Sequence, residues 1–334
     1  MRHEVPETVD RGRYRDAVTP WERADWRADA LGWARRALAA HGLRERGPRT
    51  VRVRPWSVLV RMSVAVDRAV WFKAGPPAGA FEAGLTAALA RWVPGHVLEP
   101  LAVDAGRGWS LLPDGGTLFR EVLRRDGSGP RAWEAPLAQY AEMQRTLVPY
   151  TEEIRALGVP DAPTVALPDD FDRLVAANTA LDPAGRAALR ARRPRLVGWC
   201  TELAGAGIPD ALDHADLHDG QLFASRPGRF TFFDWGDAAV SHPFCSLLVP
   251  VLTARERYGP EALPRLRDAY LEPWTGAGLT AAELRRAARV ACRVGAIGRA
   301  RSWGRLFPGA SGTSRPGDAE SARWLRDLFA APLF

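Results

Sequence analysis

Apolar residues recur at helical spacing through Trp21, Trp26, Leu31, Trp33, Ala34 and Leu38, set among Arg, Asp and Glu. That rhythm predicts one or two amphipathic helices over residues 21–43, stopped at Gly42 and packed through an aromatic stripe. Residues 1–20 are charged and weakly patterned, as in a loose arm. From residue 50 the period becomes two. Residues 50–54 alternate, Pro55-Trp56-Ser57 interrupts, and Val58, Val60, Met62, Val64 and Val66 fall on one face. A turn at Asp67-Arg68 leads into a third strand, 69–74. A Gly/Pro segment then opens a helix carrying Phe81, Leu85, Leu89 and Trp92, and strands follow at 97–103 and 109–112.

After the connector Pro113-Asp114-Gly115-Gly116 the pattern turns helical, with segments near 117–125, 133–148, 169–181, 184–205, 244–257, 260–271, 280–303 and 318–330. The exception is a small hairpin around Arg226-Pro227-Gly228, flanked by Leu222-Phe223 and residues 230–233. No internal repeat is present.

With 334 residues and 46% hydrophobic composition, the chain can bury one large core or two lobes. Its longest apolar runs are too short to span a bilayer and its first residues lack a signal-peptide core, which predicts a cytoplasmic protein with no membrane partner. Cys200, Cys245 and Cys292 have neither disulfide nor zinc spacing and read as core thiols. The net charge of +7 is spread along every segment without a basic tract, which argues against nucleic acid and favours an anionic cosubstrate. Composition sharpens at one point. Of the 46 Lys and Arg residues a single one is lysine, Lys73, flanked by Val70, Trp71 and Phe72. In a chain that uses arginine for generic positive charge, this position calls for a compact ammonium that a planar fork cannot replace.

The densest polar cluster is His214-Ala215-Asp216-Leu217-His218-Asp219-Gly220-Gln221, followed by Asp234-Trp235-Gly236-Asp237 after an apolar strand. Such density beside strands marks a loop site on a scaffold. His214, Asp216 and Gln221 fall at the spacing H-x-D-x-x-x-x-N, with Gln in place of Asn. With Lys73 on a strand and Glu82 in the helix after it, the chain resembles the aminoglycoside phosphotransferase and choline kinase-like small-molecule kinases over roughly residues 50–255. The resemblance implies an α+β, bilobal protein kinase-like fold. Residues 1–49 would form an arm and amphipathic helices, 50–114 a small antiparallel sheet lobe with one helix and a hinge, and 115–334 a larger, mostly helical lobe. It further implies an ATP-dependent or GTP-dependent O-phosphotransferase acting with Mg²⁺ on a small-molecule hydroxyl acceptor. Asp216 would be the catalytic base, Gln221 and Asp234 the metal ligands, and Lys73 with Glu82 the nucleotide-binding ion pair. Leu112 and Asp114 would lie in the hinge that meets adenine.

This chain departs from that pattern at Gln221, at a turn over residues 54–57 without glycine, where Ser57 or nearby N–H groups would meet the phosphates, and at His242-Pro243-Phe244-Cys245-Ser246, where relatives often carry an Asp. His214 is expected to be structural, His218 and Asp219 to shape the loop, and Asp237 to brace it. Residues 307–317 read equally as a lid or a connection. Two other readings stand beside the kinase: a nucleotide-binding pseudokinase, and a metal-dependent hydrolase built on the His214 to Asp219 cluster, which lacks zinc-hydrolase spacing. The acidic stretch 137–173 leaves a cationic acceptor open.

Overall fold

A computed structural model describes residues 6–226, 228–276, 278–309 and 316–334. The described residues divide into two compact units, 6–115 with 305–309, and 116–304 with 316–334.

The first unit is a six-stranded sheet with a helix on each face. In chain order it contains β1 (Glu7–Asp10), α1 (Ala24–Ala40), β2 (Arg49–Arg54), β3 (Ser57–Ala65), β4 (Arg68–Ala74), α2 (Phe81–Trp92), β5 (Ala102–Asp104) and β6 (Trp109–Pro113). Spatially the strands run β1-β2-β3-β4-β6-β5. All neighbours are antiparallel except β1, which pairs parallel with β2 from Glu7↔Arg49 to Asp10↔Arg52. The sheet is therefore not purely antiparallel, and part of the loose arm read at residues 1–20 is its edge strand.

Period-two patterning sorts the side chains. Val51, Val53, Val58, Val60, Met62, Val64, Val70 and Phe72 face α1 and are buried with Trp21, Leu31, Ala34 and Leu38. Trp26, Phe72 and Trp109 meet edge to face at 5.6–6.3 Å between centroids, so the tryptophan stripe is core. Phe307 joins this core, and its N–H donates to the Pro55 carbonyl at 2.8 Å. The remainder of the segment 307–317 lies largely outside the described residues.

The second unit contains α3 (Phe119–Arg125), α4 (Glu134–Leu147), α5 (Thr151–Ala156), α6 (Leu167–Ala177), α7 (Pro183–Arg190), α8 (Arg193–Ala204), β7 (Ala211–Asp213), β8 (Leu222–Arg226), β9 (Arg229–Phe232), β10 (Ala239–Ser241), α9 (Leu248–Tyr258), α10 (Leu263–Leu271), α11 (Ala281–Ser302) and α12 (Pro316–Asp327). Helix α5 and the β7/β10 pair were not legible from periodicity. The expected helix at 184–205 is two helices, since Pro194 lacks the N–H that would continue the first. Long α11 starts at a capping box, Thr280 with Glu283, and runs buried through the unit. Gly295 sits where a Cβ would come within 3.2 Å of the Cys245 carbonyl, so glycine permits the close approach of α11 to residues 243–247. No helix among the described residues is long and apolar enough to cross a membrane.

Candidate functional site

In the first unit, the alternation that sends Phe72 into the α1-facing core sends Lys73 to the opposite face of β4, toward α2. Glu82 stands in the first turn of α2, and Lys73 Nζ meets its Oε1 at 2.5 Å, both side chains close to nine-tenths buried. A charge-assisted contact this short inside a largely apolar unit fixes the ammonium. Ser57 is buried at the start of β3, directly across the Pro55-Trp56 turn from Arg54. Leu112 lies on β6 opposite Trp71, whose indole N–H donates to Asp114 Oδ2 at 3.4 Å.

In the second unit, the segment 213–221 leaves β7 and is pinned from several sides. Asp213 is fully buried, and its Oδ1 accepts from Ser246 Oγ at 2.6 Å and from the Ala215 N–H at 2.9 Å. Burial pushes its carboxyl up from the ordinary range. The His214 N–H donates toward Tyr140 Oη at 3.1 Å and Ser246 Oγ at 3.2 Å. His214 Nε2 lies 2.9 Å from the Phe233 carbonyl, an acceptor only, so the ring carries its proton there and leaves Nδ1 to face the Asp216 N–H at 3.4 Å. Its burial holds the imidazole below its usual pKa, and the ring packs against Trp235 at 4.6 Å. His214 is thus a neutral strut.

Among the described residues, the non-glycine positions with positive φ are Ala215 (φ 60°) and Asp234 (φ 67°). Left-handed backbone costs an L-residue about 1–2 kcal/mol and persists where surrounding contacts over-determine it, a condition that clusters at functional sites. Both lie in the two motifs singled out by spacing.

Asp216 keeps 22% of its side chain exposed, and its Oδ1 lies 3.0 Å from Arg299 Nη2. Desolvation pushes its carboxyl up to about 7; Arg299 opposes this rise, while Asp237 and Asp234 add to it. Arg299 also donates through Nη1 to Asp237 Oδ2 at 2.8 Å and to the Ala215 carbonyl at 3.2 Å, with its guanidinium over the Trp324 ring. Gln221, buried, donates from Nε2 to Asp234 Oδ2 at 3.0 Å. Arg299 thus gathers Asp216 and Asp237, and Asp234 with Gln221 adjoins them, near enough to act on the Asp216 carboxyl. His218 borders it, with Nε2 3.9 Å from Asp216 Oδ2, and burial lowers its imidazole to about 4.

Arg299 was missed by sequence reading. Its signal was present, because it continues the buried stripe of α11 through Leu284, Ala288, Ala291 and Gly295, where an arginine must find carboxylate partners. Ser246, within the segment that departs from the kinase pattern, was missed as well; it braces Asp213 and the His214 N–H.

The donor chemistry fits Mg²⁺: one carboxylate, Asp234, and one amide oxygen, Gln221, are hard ligands of the kind that supplement phosphate oxygens and water. Nε2 and Oε1 of Gln221 exchange by a half-turn of the amide, so the group that donates to Asp234 can present its oxygen to a cation. Among the described residues no three His, Cys, Asp or Glu side chains group as a metal nest.

No family model matches the chain, and no curated protein matches its sequence. Solved structures do. The chain is similar to the Plasmodium vivax ethanolamine kinase, with TM-score 0.57 and 13% identity over 82% of this chain and 79% of that one. It is similar to the macrolide 2'-phosphotransferase MphH from Brachybacterium faecium, with TM-score 0.54 and 17% identity over 89% and 98%. It is also similar to aminoglycoside 2'-phosphotransferase-IIIa in its GDP complex, with TM-score 0.52 and 15% identity over 82% and 89%. The chain has the α+β, kinase-like fold of these proteins.

Proposed function

We propose that the chain transfers the γ-phosphoryl group of ATP or GTP to a hydroxyl of a small molecule. The reading is carried by the convergence of Asp216, Gln221 and Asp234 on one strained, buried loop cluster in a kinase-like fold. Phosphoryl transfer asks the protein mainly for positioning and for neutralisation of charge. Asp216 orients the acceptor hydroxyl and takes its proton as the new O–P bond forms and the bond to the β-phosphate oxygen breaks, which leaves ADP or GDP. Its raised proton affinity suits that task. Asp234 and the Gln221 amide oxygen would hold Mg²⁺, which when bound neutralises phosphate charge. Lys73, fixed by Glu82, binds phosphate oxygens, with Leu112 and Asp114 on the adenine side and Ser57 near the phosphates. Asp237 works through Arg299, which orients Asp216. The protein named in the GDP complex shows a guanine nucleotide in that fold, so both nucleotides belong in the assay.

The test is nucleotide consumption across hydroxylated antibiotics and metabolites, with mass detection of a phosphate adduct and Asp216→Asn as control. Adduct formation that falls about a thousandfold in the variant is expected. A thermal shift with ATP but no turnover on any acceptor would favour the pseudokinase reading, and a variant that turns over normally would remove Asp216 as the base.

A further inference from the structure

On the His218 side of the cluster, the second unit holds a cavity of about 450 Å³ lined by Arg120, Arg124, His218, Asp219, Glu256 and Arg257, from α3, the loop 213–221 and α9. That volume lies within the range of small-molecule sites, roughly 300–1,000 Å³. We propose that this cavity is the acceptor subsite and that it takes a hydroxylated compound bearing an anionic group, a carboxylate or a phosphate. The inference rests on the phosphotransferase reading and names its substrate class.

The wall is built rather than incidental. Arg120 Nε donates to Asp219 Oδ1 at 2.7 Å, and the Arg120 N–H donates to the Asp219 carbonyl at 2.9 Å, so α3 is tied to the loop that carries Asp216. Gly220 has no side chain, and a Cβ there would fall 2.8 Å from Arg120 Nη2 and 2.9 Å from the His218 ring. Glycine thus lets the guanidinium lie against the loop. His218 Nδ1 receives the Gly220 N–H at 2.9 Å and faces Arg120 Nη2 at 3.2 Å. Its proton therefore sits on Nε2, the atom that looks toward Asp216. The cavity thus lies beside His218, whose Nε2 is 3.9 Å from Asp216 Oδ2.

The charge of the lining decides the class. Arg120 is balanced by Asp219, but Arg257 directs Nη2 to a neutral partner, the Leu123 carbonyl at 2.9 Å. Among the described residues neither Arg124, Arg257 nor Glu256 is in an ion pair, which leaves two guanidinium groups against one carboxylate. Guanidinium forks bind carboxylates and phosphates with charge-assisted pairs. The acidic stretch that left a cationic acceptor open looks different in space. Asp161 and Glu152 meet Arg155 at 2.7 and 2.5 Å, Asp169 and Asp172 meet Arg193 at 3.0 and 2.6 Å, and Asp170 meets Arg173 and Arg301. Most of its negative charge is already matched.

Calorimetric titration of the ADP-saturated protein with four sugars of one skeleton, glucuronate, glucose 6-phosphate, glucose and glucosamine, separates the possibilities. At least one anionic sugar is expected to bind about tenfold or more tightly than glucose and glucosamine, the weight of one charge-assisted hydrogen bond. The Arg124→Glu/Arg257→Glu variant should lose that preference while still binding ADP and melting cooperatively, at a somewhat lower temperature because the bond from Arg257 to the Leu123 carbonyl is gone. Which anion wins tells a carboxylate subsite from a phosphate subsite. The proposal is overturned if glucosamine binds as well as the anions, if the anions bind no better than glucose, or if charge reversal leaves their affinity intact. Failure to bind ADP at all would instead sink the phosphotransferase reading.

Discussion

The two units bury charge in different ways. In the first, Lys73 meets Glu82 across adjacent elements only nine residues apart, an ammonium against a carboxylate in one 2.5 Å contact. In the second, Arg299 reaches from α11 to Asp216 and Asp237, with Asp234 close enough to raise the proton affinity of Asp216 further. The first sets one ammonium against one carboxylate in a single short contact. The second sets two carboxylates, Asp216 and Asp237, on the one guanidinium of Arg299, and carboxylates that crowd one another hold a proton more readily.

Removal of the buried cation should break this contrast most strongly. Arg299→Met leaves Asp216 and Asp237 without their shared partner, and loss of one side of a buried ionic network costs about 3–5 kcal/mol. Urea unfolding measures it directly, with Arg299→Lys expected to recover part of the loss. A cost under about 1 kcal/mol, the value of an exposed pair, would show that Arg299 does not hold the carboxylates together.

The lysine pair offers a sharper question about shape. Arg is the default cation of this chain, yet position 73 is lysine, and its ammonium is held at 2.5 Å in a nearly buried slot. Lys73→Arg keeps the charge while forcing a wide planar group into that slot, so kcat/KM for the nucleotide should fall about a hundredfold, as with Lys73→Met. Activity of the arginine variant near that of the parent would mean the lone lysine reflects chance.

Much of this was legible in the chain. Period-two runs revealed β2 and β3, short apolar runs revealed β4 and β6, the strand expected over 97–103 is confined to Ala102–Asp104, and the spacing of His214, Asp216, Gln221 and Asp234 marked residues that the structure brings together. Strand β1 was not legible because its four residues are exposed and carry no alternation. Backbone strain at Ala215 and Asp234 leaves no trace in residue type, and alanine gives no hint of left-handed geometry. Arg299 lies in sequence far from the loop it serves, so periodicity could mark it as buried but not say against what. Gly220 was legible only as a loop glycine; its role in admitting Arg120 depends on a contact between residues 100 positions apart.

The smallest effect concerns protons. Asp216 in the folded protein holds its proton up to about pH 7, chiefly because it is desolvated, whereas in the unfolded chain the same carboxyl titrates near its ordinary value of about 4. Between those values the folded state binds more protons than the unfolded state, so this group makes stability fall as pH rises across the window. Asp216→Asn removes the titration. The melting temperature of the variant relative to the parent should therefore climb from pH 4 to pH 7 and level off above, by a few degrees if about 1–2 kcal/mol is involved. Arg299 tempers the size, because its guanidinium favours the ionised carboxylate that burial disfavours. Melting curves of both proteins at matched ionic strength suffice. A difference that stays flat across the window would mean that Asp216 is already ionised at pH 4 and that the guanidinium outweighs both burial and the neighbouring carboxylates, which would bring the second unit's network toward an ion pair like that of the first.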